Sequence, residues 1–181
     1  MAALLTALAL NKGPVIGVGL SADKQEHALE FGASEVFDPD RAEGSEARGN
    51  VVVETVGHPA AVETAMVMTA PGGQTIALGF PDPDARASIT PLGLVAEARL
   101  VTGSYMGSAL PQRDVSILAK LWRSGDLPIE RLTGLHIDFD EIDEGIDNLA
   151  DRRVLRQMLN FPITIRGATI LTDADMKEFR A

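Results

Sequence analysis

Residues 51–81 have the sequence VVVETVGHPAAVETAMVMTAPGGQTIALGFP. The β-branched run at its start predicts a buried strand that ends near Glu54. The middle predicts a helix over residues 59–69, and the end predicts a strand over 74–78 after a turn at Pro71-Gly72-Gly73. A strand, a helix and a strand in this order form the repeating unit of a parallel sheet.

The same alternation extends in both directions along the chain. On the N-terminal side it predicts a buried helix over 1–11, a strand over 15–20, a helix over 22–31, a strand over 35–37 and a polar loop over 38–50. On the C-terminal side it predicts helices over 92–98, 112–124 and 140–149, with strands over 100–105, 135–139 and 155–161. The expected fold class is therefore α/β, with a doubly wound parallel sheet and right-handed crossovers.

Composition limits the partners. With 16 Lys and Arg against 26 Asp and Glu, the 181 residues carry a net charge of −10, which disfavours nucleic acid and anionic membranes as partners. The absence of cysteine excludes disulfides and thiolate metal sites within the chain. The apolar stretch at 2–10 is shorter than the roughly 20 residues that cross a bilayer, and no basic leader precedes it. A soluble, cytoplasmic protein is expected.

Three blocks of sequence resemble zinc-type alcohol dehydrogenases of the medium-chain dehydrogenase family. They are residues 15–39 (VIGVGLSADKQEHALEFGASEVFDP), residues 51–81, and residues 100–161, which begin LVTGSYMGSALP and end VLRQMLNF. The resemblance implies a Rossmann-like, N-terminally truncated NAD(P)-binding domain over 1–161. Residues 162–181 then form a C-terminal extension of unknown role.

The resemblance also implies an activity, namely NAD(P)-dependent oxidoreduction of an alcohol or aldehyde by hydride transfer, with zinc polarising the substrate oxygen. In that family the zinc ligands belong to an N-terminal domain, and the strand before Met1 would carry the glycine-rich phosphate loop. The chain is therefore expected to bind no zinc and to be inactive alone.

Cofactor contacts are expected first after the strand at 15–20. Family members that use NAD usually have an acidic residue where this chain has Gly19. Loss of the carboxylate, together with the hydroxyl of Ser21 and the charge of Lys24, favours NADP over NAD. The alternative is that Gly19 contacts no ligand and that Lys24 is a solvated helix residue.

By resemblance, Thr55 and Val56 line the adenosine side of a dinucleotide, and Leu78 and Gly79 line the nicotinamide side. The alternative for these residues is packing and turn formation alone. Arg156 matches the family arginine that reaches the cofactor pyrophosphate. Its alternative is a solvated basic cluster with the neighbouring Arg152 and Arg153.

Residues 100–108 correspond to the family's subunit interface, so a homodimer is expected. Two other hypotheses remain at the level of sequence. One is a nonenzymatic, dimerising remnant or interaction module, and the other is a small binding protein unrelated to dehydrogenases.

Overall fold

The computed structural model describes residues 1–10, 13–151, 153–154 and 156–161. The chain divides into two compact units near Val115 and Ser116. Residues 162–181, predicted as an extension, lie outside the described residues. The division falls inside a helix, Pro111–Arg123, which we call α6.

Helices and parallel strands alternate in the first unit. Before α6 they are α1 (Ala2–Ala9), β1 (Ile16–Val18), α2 (Ala22–Glu30), β2 (Glu35–Phe37), α3 (Pro39–Gly44), β3 (Gly49–Glu54), α4 (Pro59–Met68), β4 (Thr69–Ala77), α5 (Pro91–Ala96) and β5 (Leu100–Gly103). After α6, the second unit contains β6 (His136–Asp138), α7 (Ile142–Ala150) and β7 (Met158–Asn160). Each predicted helix and strand has a counterpart among these elements, and α3 is an additional helix.

The strands pair in parallel throughout the described chain. In the first unit β1 pairs with β2, and β3, β4 and β5 form a three-stranded sheet in that order. In the second unit β6 pairs with β7. No ladder joins β1 to β3 within the described residues, so the strands of the first unit form two sheets. The α/β fold with parallel sheets is confirmed.

A small apolar cluster joins the elements of these two sheets. Phe37 of β2, Ala42 of α3 and Met68 of α4 are buried together, and Ile16 of β1 and Val52 of β3 pack against them. Both sheets therefore contribute side chains to one core, although no strand ladder connects them.

The predicted polar loop over 38–50 is wrong. It contains α3, and β3 already begins at Gly49. The Asp38 side chain caps α3 by accepting a hydrogen bond from the Arg41 amide at 2.8 Å, and Pro39 occupies the first turn. An N-cap aspartate followed by proline is a helix-start signal, and the polarity of the segment obscured it.

Two elements are less buried than predicted. Val51 of β3 is 59% exposed, and Val53 is exposed as well, so this strand packs mainly through Val52. In α1, Leu5 is buried and Leu8 lies against Gly32, while Leu10, the residue after the helix, is exposed. Within α1, Ala2 and Ala3 are exposed, Leu5 is buried and the other residues are partly exposed, so the helix is only partly buried.

The predicted turn at Pro71-Gly72-Gly73 lies within β4. There the pairing with β3 moves from Thr69 opposite Gly49 to Gln74 opposite Val51, and Gly72 has a φ of +72°. The turn therefore forms an irregularity in β4 and not a break before it.

No helix among the described residues is both long enough and apolar enough to span a bilayer.

Candidate functional site

A cleft opens where β3, β4 and β5 end. Its volume is about 510 Å³, and its lining includes Leu78, Gly79 and Phe80 after β4 and Ser104 and Tyr105 after β5. Parallel strands of α/β proteins bind ligands at their carboxyl ends, outside the sheet. The cleft is therefore the candidate functional site of the first unit.

Glu54, the last residue of β3, organises the floor of this cleft. Its side chain is buried, with the residue 4% exposed. Oε1 accepts hydrogen bonds from the amides of Val56 at 2.5 Å and Gly57 at 2.8 Å. Its main-chain oxygen accepts from the amides of Leu78 at 2.8 Å and Gly79 at 3.1 Å. One residue thus fixes both the turn after β3 and the end of β4.

The turn after β3 and the segment after β4 touch backbone to backbone. Gly57 has a φ of +77°, and a Cβ added there would lie 2.7 Å from main-chain atoms of Phe80. A Cβ at Gly79 would lie 2.7 Å from the carbonyl carbon of Val56 and would also overlap the backbone of Gly57. Glycine is required at both positions because no space exists for a side chain.

Two aromatic rings lie at the cleft. Phe80 is 81% exposed and Tyr105 is 73% exposed, with their ring centroids 5.9 Å apart. Large exposed apolar groups side by side are typical of binding surfaces. A planar ligand group can pack on these rings.

Gly19, Ser21 and Lys24 lie together between β1 and the first turn of α2. The Gly19 amide donates to the Phe37 carbonyl at 3.0 Å, and its carbonyl accepts from the Gln25 side chain at 2.6 Å. A Cβ at Gly19 would have no atom within 4 Å, so the space beside it is open. Ser21 caps α2 with a 3.5 Å bond from the Lys24 amide, and both side chains are exposed.

Arg156 lies in the second unit, two residues before β7, and its side chain is exposed. No ion pair joins it to another of the described residues. Arg153 is paired with Asp151 at 2.9 Å, and Arg152 lies outside the described residues. The guanidinium of Arg156 is therefore available to a phosphate, whereas that of Arg153 has a carboxylate partner.

The predicted site residues fall into three places. Leu78 and Gly79 line the cleft, and Thr55 and Val56 form the exposed turn beside it. Gly19, Ser21 and Lys24 surround the start of α2, and Arg156 lies in the second unit. The sequence prediction missed Glu54, Phe80, Ser104 and Tyr105, each at or just beyond the end of a strand. For Glu54 the sequence did contain a signal, since a carboxylate that directly follows three valines lies at the end of a predicted strand.

The histidines are dispersed. His27 Nδ1 lies 2.7 Å from the Asp23 carbonyl, His58 caps α4, and His136 Nδ1 lies 3.3 Å from Asn160 Oδ1. Over the part of the chain that the structure describes, no three His, Cys, Asp or Glu side chains cluster as metal ligands.

Comparison with known proteins identifies the family. Residues 1–123 match the family model described as zinc-binding dehydrogenase. Geraniol dehydrogenase of Castellaniella defragrans is 31% identical over an alignment of 170 positions that covers 89% of this chain and 45% of that protein. The chain thus spans about half the length of the relatives that it matches.

Solved structures show the same fold. Benzyl alcohol dehydrogenase from Acinetobacter calcoaceticus superposes with a TM-score of 0.79 at 20% identity, over 87% of this chain and 46% of that one. A zinc-binding dehydrogenase from Sinorhizobium meliloti bound to NADP superposes with a TM-score of 0.68 at 24% identity, over 80% of this chain and 45% of that one. The chain belongs to the zinc-binding dehydrogenase family.

Proposed function

We propose that this chain is the NAD(P)-binding portion of an alcohol dehydrogenase, which transfers hydride between nicotinamide and an alcohol or aldehyde. The cleft at the carboxyl ends of β3, β4 and β5 is the observation that carries the proposal. Its volume of about 510 Å³ lies within the usual size range of small-molecule sites, and its lining is mainly apolar. The alcohol dehydrogenases among its relatives support an alcohol or aldehyde substrate.

The chain alone is proposed to bind the nucleotide without completing hydride transfer. Zinc, when bound in such an enzyme, polarises the substrate oxygen. In the zinc-type family its ligands and the glycine-rich loop precede the part that this chain resembles. We place the protein in the cytoplasm.

Gly19, Ser21 and Lys24 favour NADP as the cofactor. The open space beside Gly19 leaves room for a 2′-phosphate, and no side-chain carboxylate at that position repels it. The Ser21 hydroxyl and the Lys24 ammonium are exposed at the same helix start. A hydroxyl donor and a cation suit a phosphate dianion.

Calorimetric titration of the purified chain with NADPH and NADH tests the function. We expect saturable binding with a preference for NADPH. Arg156→Ala is expected to weaken binding about tenfold or more, because a hydrogen bond between charged groups is lost. Arg153→Ala is the matched control, and its affinity should stay near that of the parent because Arg153 already pairs with Asp151.

Absence of binding by the parent chain would reject the nucleotide-binding function. Equal affinities for the parent and Arg156→Ala would leave nucleotide binding standing but would remove Arg156 from the site. A preference for NADH would contradict the interpretation of Gly19.

The second candidate function is a dimerising module without turnover. It is favoured by β5, which is an edge strand of its sheet in the described structure and has exposed side chains at Leu100 and Val101. An exposed apolar edge strand can pair with a second copy. We propose a homodimer formed through this edge, and the dimer is compatible with either function.

Leu100→Lys is expected to convert the dimer to a monomer, because a lysine on an edge strand opposes edge-to-edge pairing. Sedimentation velocity over a range of concentrations measures the change. Val95→Lys, an exposed valine on α5, is the control and should leave the dimer intact. A dimer that persists in Leu100→Lys would exclude β5 as the interface.

A further inference from the structure

We propose that Glu54 is a ligand-binding residue of the cleft, whose Oε2 accepts a hydrogen bond from a hydroxyl or amide N–H of the bound molecule. The proposal deepens the proposed function and rests on it, since the bound molecule is the nicotinamide nucleotide. It assigns to this carboxylate a role in addition to holding the turn after β3.

The two oxygens of this carboxylate have different surroundings. Oε1 is saturated by the amides of Val56 and Gly57. Oε2 is buried and has no hydrogen-bond donor among the described residues. A buried acceptor without a donor is unusual in folded proteins and calls for a physical explanation. A donor brought by a ligand supplies the missing hydrogen bond.

The side-chain polar groups of the cleft lining are few, and they include Glu54 Oε2 and the Tyr105 hydroxyl. The amides of Leu78 and Gly79 donate to the Glu54 carbonyl, so they are engaged within the protein. The Ser104 hydroxyl pairs with that of Ser108 at 3.1 Å. Much of the remaining lining is apolar, including Phe80 and Pro81. A few polar groups in an apolar pocket fix the orientation of a ligand.

The negative charge of the Glu54 carboxylate determines which part of the nucleotide can bind beside it. A buried carboxylate repels phosphate and carboxylate groups and attracts neutral donors, and the effect is strong where water is excluded. The end of the dinucleotide that reaches Glu54 is therefore a neutral one that carries hydroxyl or amide donors. Glu54 is one of the residues that line the cleft, so a donor of the ligand can approach Oε2 while Oε1 keeps its hydrogen bonds to the Val56 and Gly57 amides.

Glu54→Gln separates the two roles of the side chain. The glutamine Oε1 can still accept from the Val56 and Gly57 amides, but an NH₂ group, which is a donor, replaces Oε2. Glu26→Gln on α2 is the matched control, because it makes the same change of net charge at an exposed position outside the cleft lining. Thermal melting of all three proteins reports on the fold.

The measurement is calorimetric affinity for whichever of NADPH and NADH the parent binds more tightly. We expect Glu54→Gln to lose about tenfold or more in affinity while melting close to the parent, and Glu26→Gln to bind like the parent. If the parent binds and Glu54→Gln binds equally well, only the role of Glu54 is overturned. If the parent does not bind, the proposed function fails and this inference fails with it.

Should Glu54→Gln melt far below the parent, Glu54→Asp supplies the second comparison. The shorter carboxylate keeps an acceptor but moves it away from the cleft. A stable Glu54→Asp variant that binds like the parent would overturn the proposal, and one that binds more weakly would support it.

Discussion

Gly79→Ala is expected to destabilise the first unit by about 3 kcal/mol or more, the upper part of the range for overpacking substitutions. The added methyl group would overlap the backbone of Gly57 and lie 2.7 Å from the Val56 carbonyl carbon. Side-chain clashes are relieved by rotamer changes, but here the atoms in the way belong to the main chain. The turn after β3 has to move away from β4 to make room. Urea denaturation followed by circular dichroism measures the loss as a lower transition midpoint.

Gly93→Ala is the matched control for this substitution. Gly93 lies in α5, and a Cβ there would have no atom within 4 Å. The same chemical change should therefore stabilise slightly, by up to about 1 kcal/mol, because alanine favours helix more than glycine does. If Gly79→Ala were as stable as Gly93→Ala, the backbone contact at the cleft floor would be disproved.

The contact at Gly79 also bears on its predicted role as a cofactor-binding residue. Its amide already donates to the Glu54 carbonyl, and its missing side chain is needed for packing against Gly57. Its contribution to the cleft is therefore the surface of its backbone. Gly79 was predicted both as a turn residue and as a cofactor contact. Its close packing against Gly57 is enough to explain why glycine occupies this position.

The alternation of strands and helices was predictable because it depends on local patterns. The apolar run between Pro14 and Ser21 gave β1, and the apolar run closed by Gly79 and Pro81 gave the end of β4. Gly32, with a φ of +108°, ends the helix that was predicted before it. The α3 helix was missed because a polar segment resembles a loop when its capping signal is ignored. The separation of the strands into two sheets depends on pairing between distant residues, and no local pattern reports that.

The candidate site was predictable only in part. Leu78 and Gly79 were found because strand ends are identifiable in the sequence and ligands bind there. Glu54 was missed because its importance comes from four amides in two separate segments, which meet only in the folded chain. The pairing of Phe80 with Tyr105 likewise joins the ends of two strands. Such contacts between distant residues are set by tertiary structure.

The second large effect is expected for Phe37→Ala, which should cost about 3–5 kcal/mol, the usual loss when a buried phenylalanine is truncated. Phe37 is 8% exposed and is buried with Ala42 and Met68, and the Arg41 guanidinium lies 5.4 Å from its ring centroid. A small domain is stable by only about 5–15 kcal/mol in total. The variant is therefore expected to be marginally folded at room temperature.

Truncation of Phe37 should do more than create a local cavity, because Phe37 packs between the two sheets. No strand ladder connects β1 to β3 in the described structure, so side-chain contacts link the two sheets. They include the packing of Ile16, Phe37 and Val52 and the hydrogen bond from Thr64 of α4 to Glu43 of α3. Gly19, Ser21 and Lys24 follow β1 in one sheet, and the cleft belongs to the other. Loss of the ring should therefore weaken nucleotide binding as well as stability, because residues on both sheets are proposed to contact one ligand.

Urea denaturation and calorimetric titration of the same Phe37→Ala sample measure both consequences, with Phe80→Ala as the matched control. Phe80 is 81% exposed, so its truncation should cost no more than about 1.5 kcal/mol, the value of its contact with Tyr105. Phe80→Ala is also expected to weaken binding, because its ring lies in the cleft, but it should do so without the loss of stability. A Phe37→Ala variant as stable as Phe80→Ala would mean that the two sheets are held together by contacts other than this cluster.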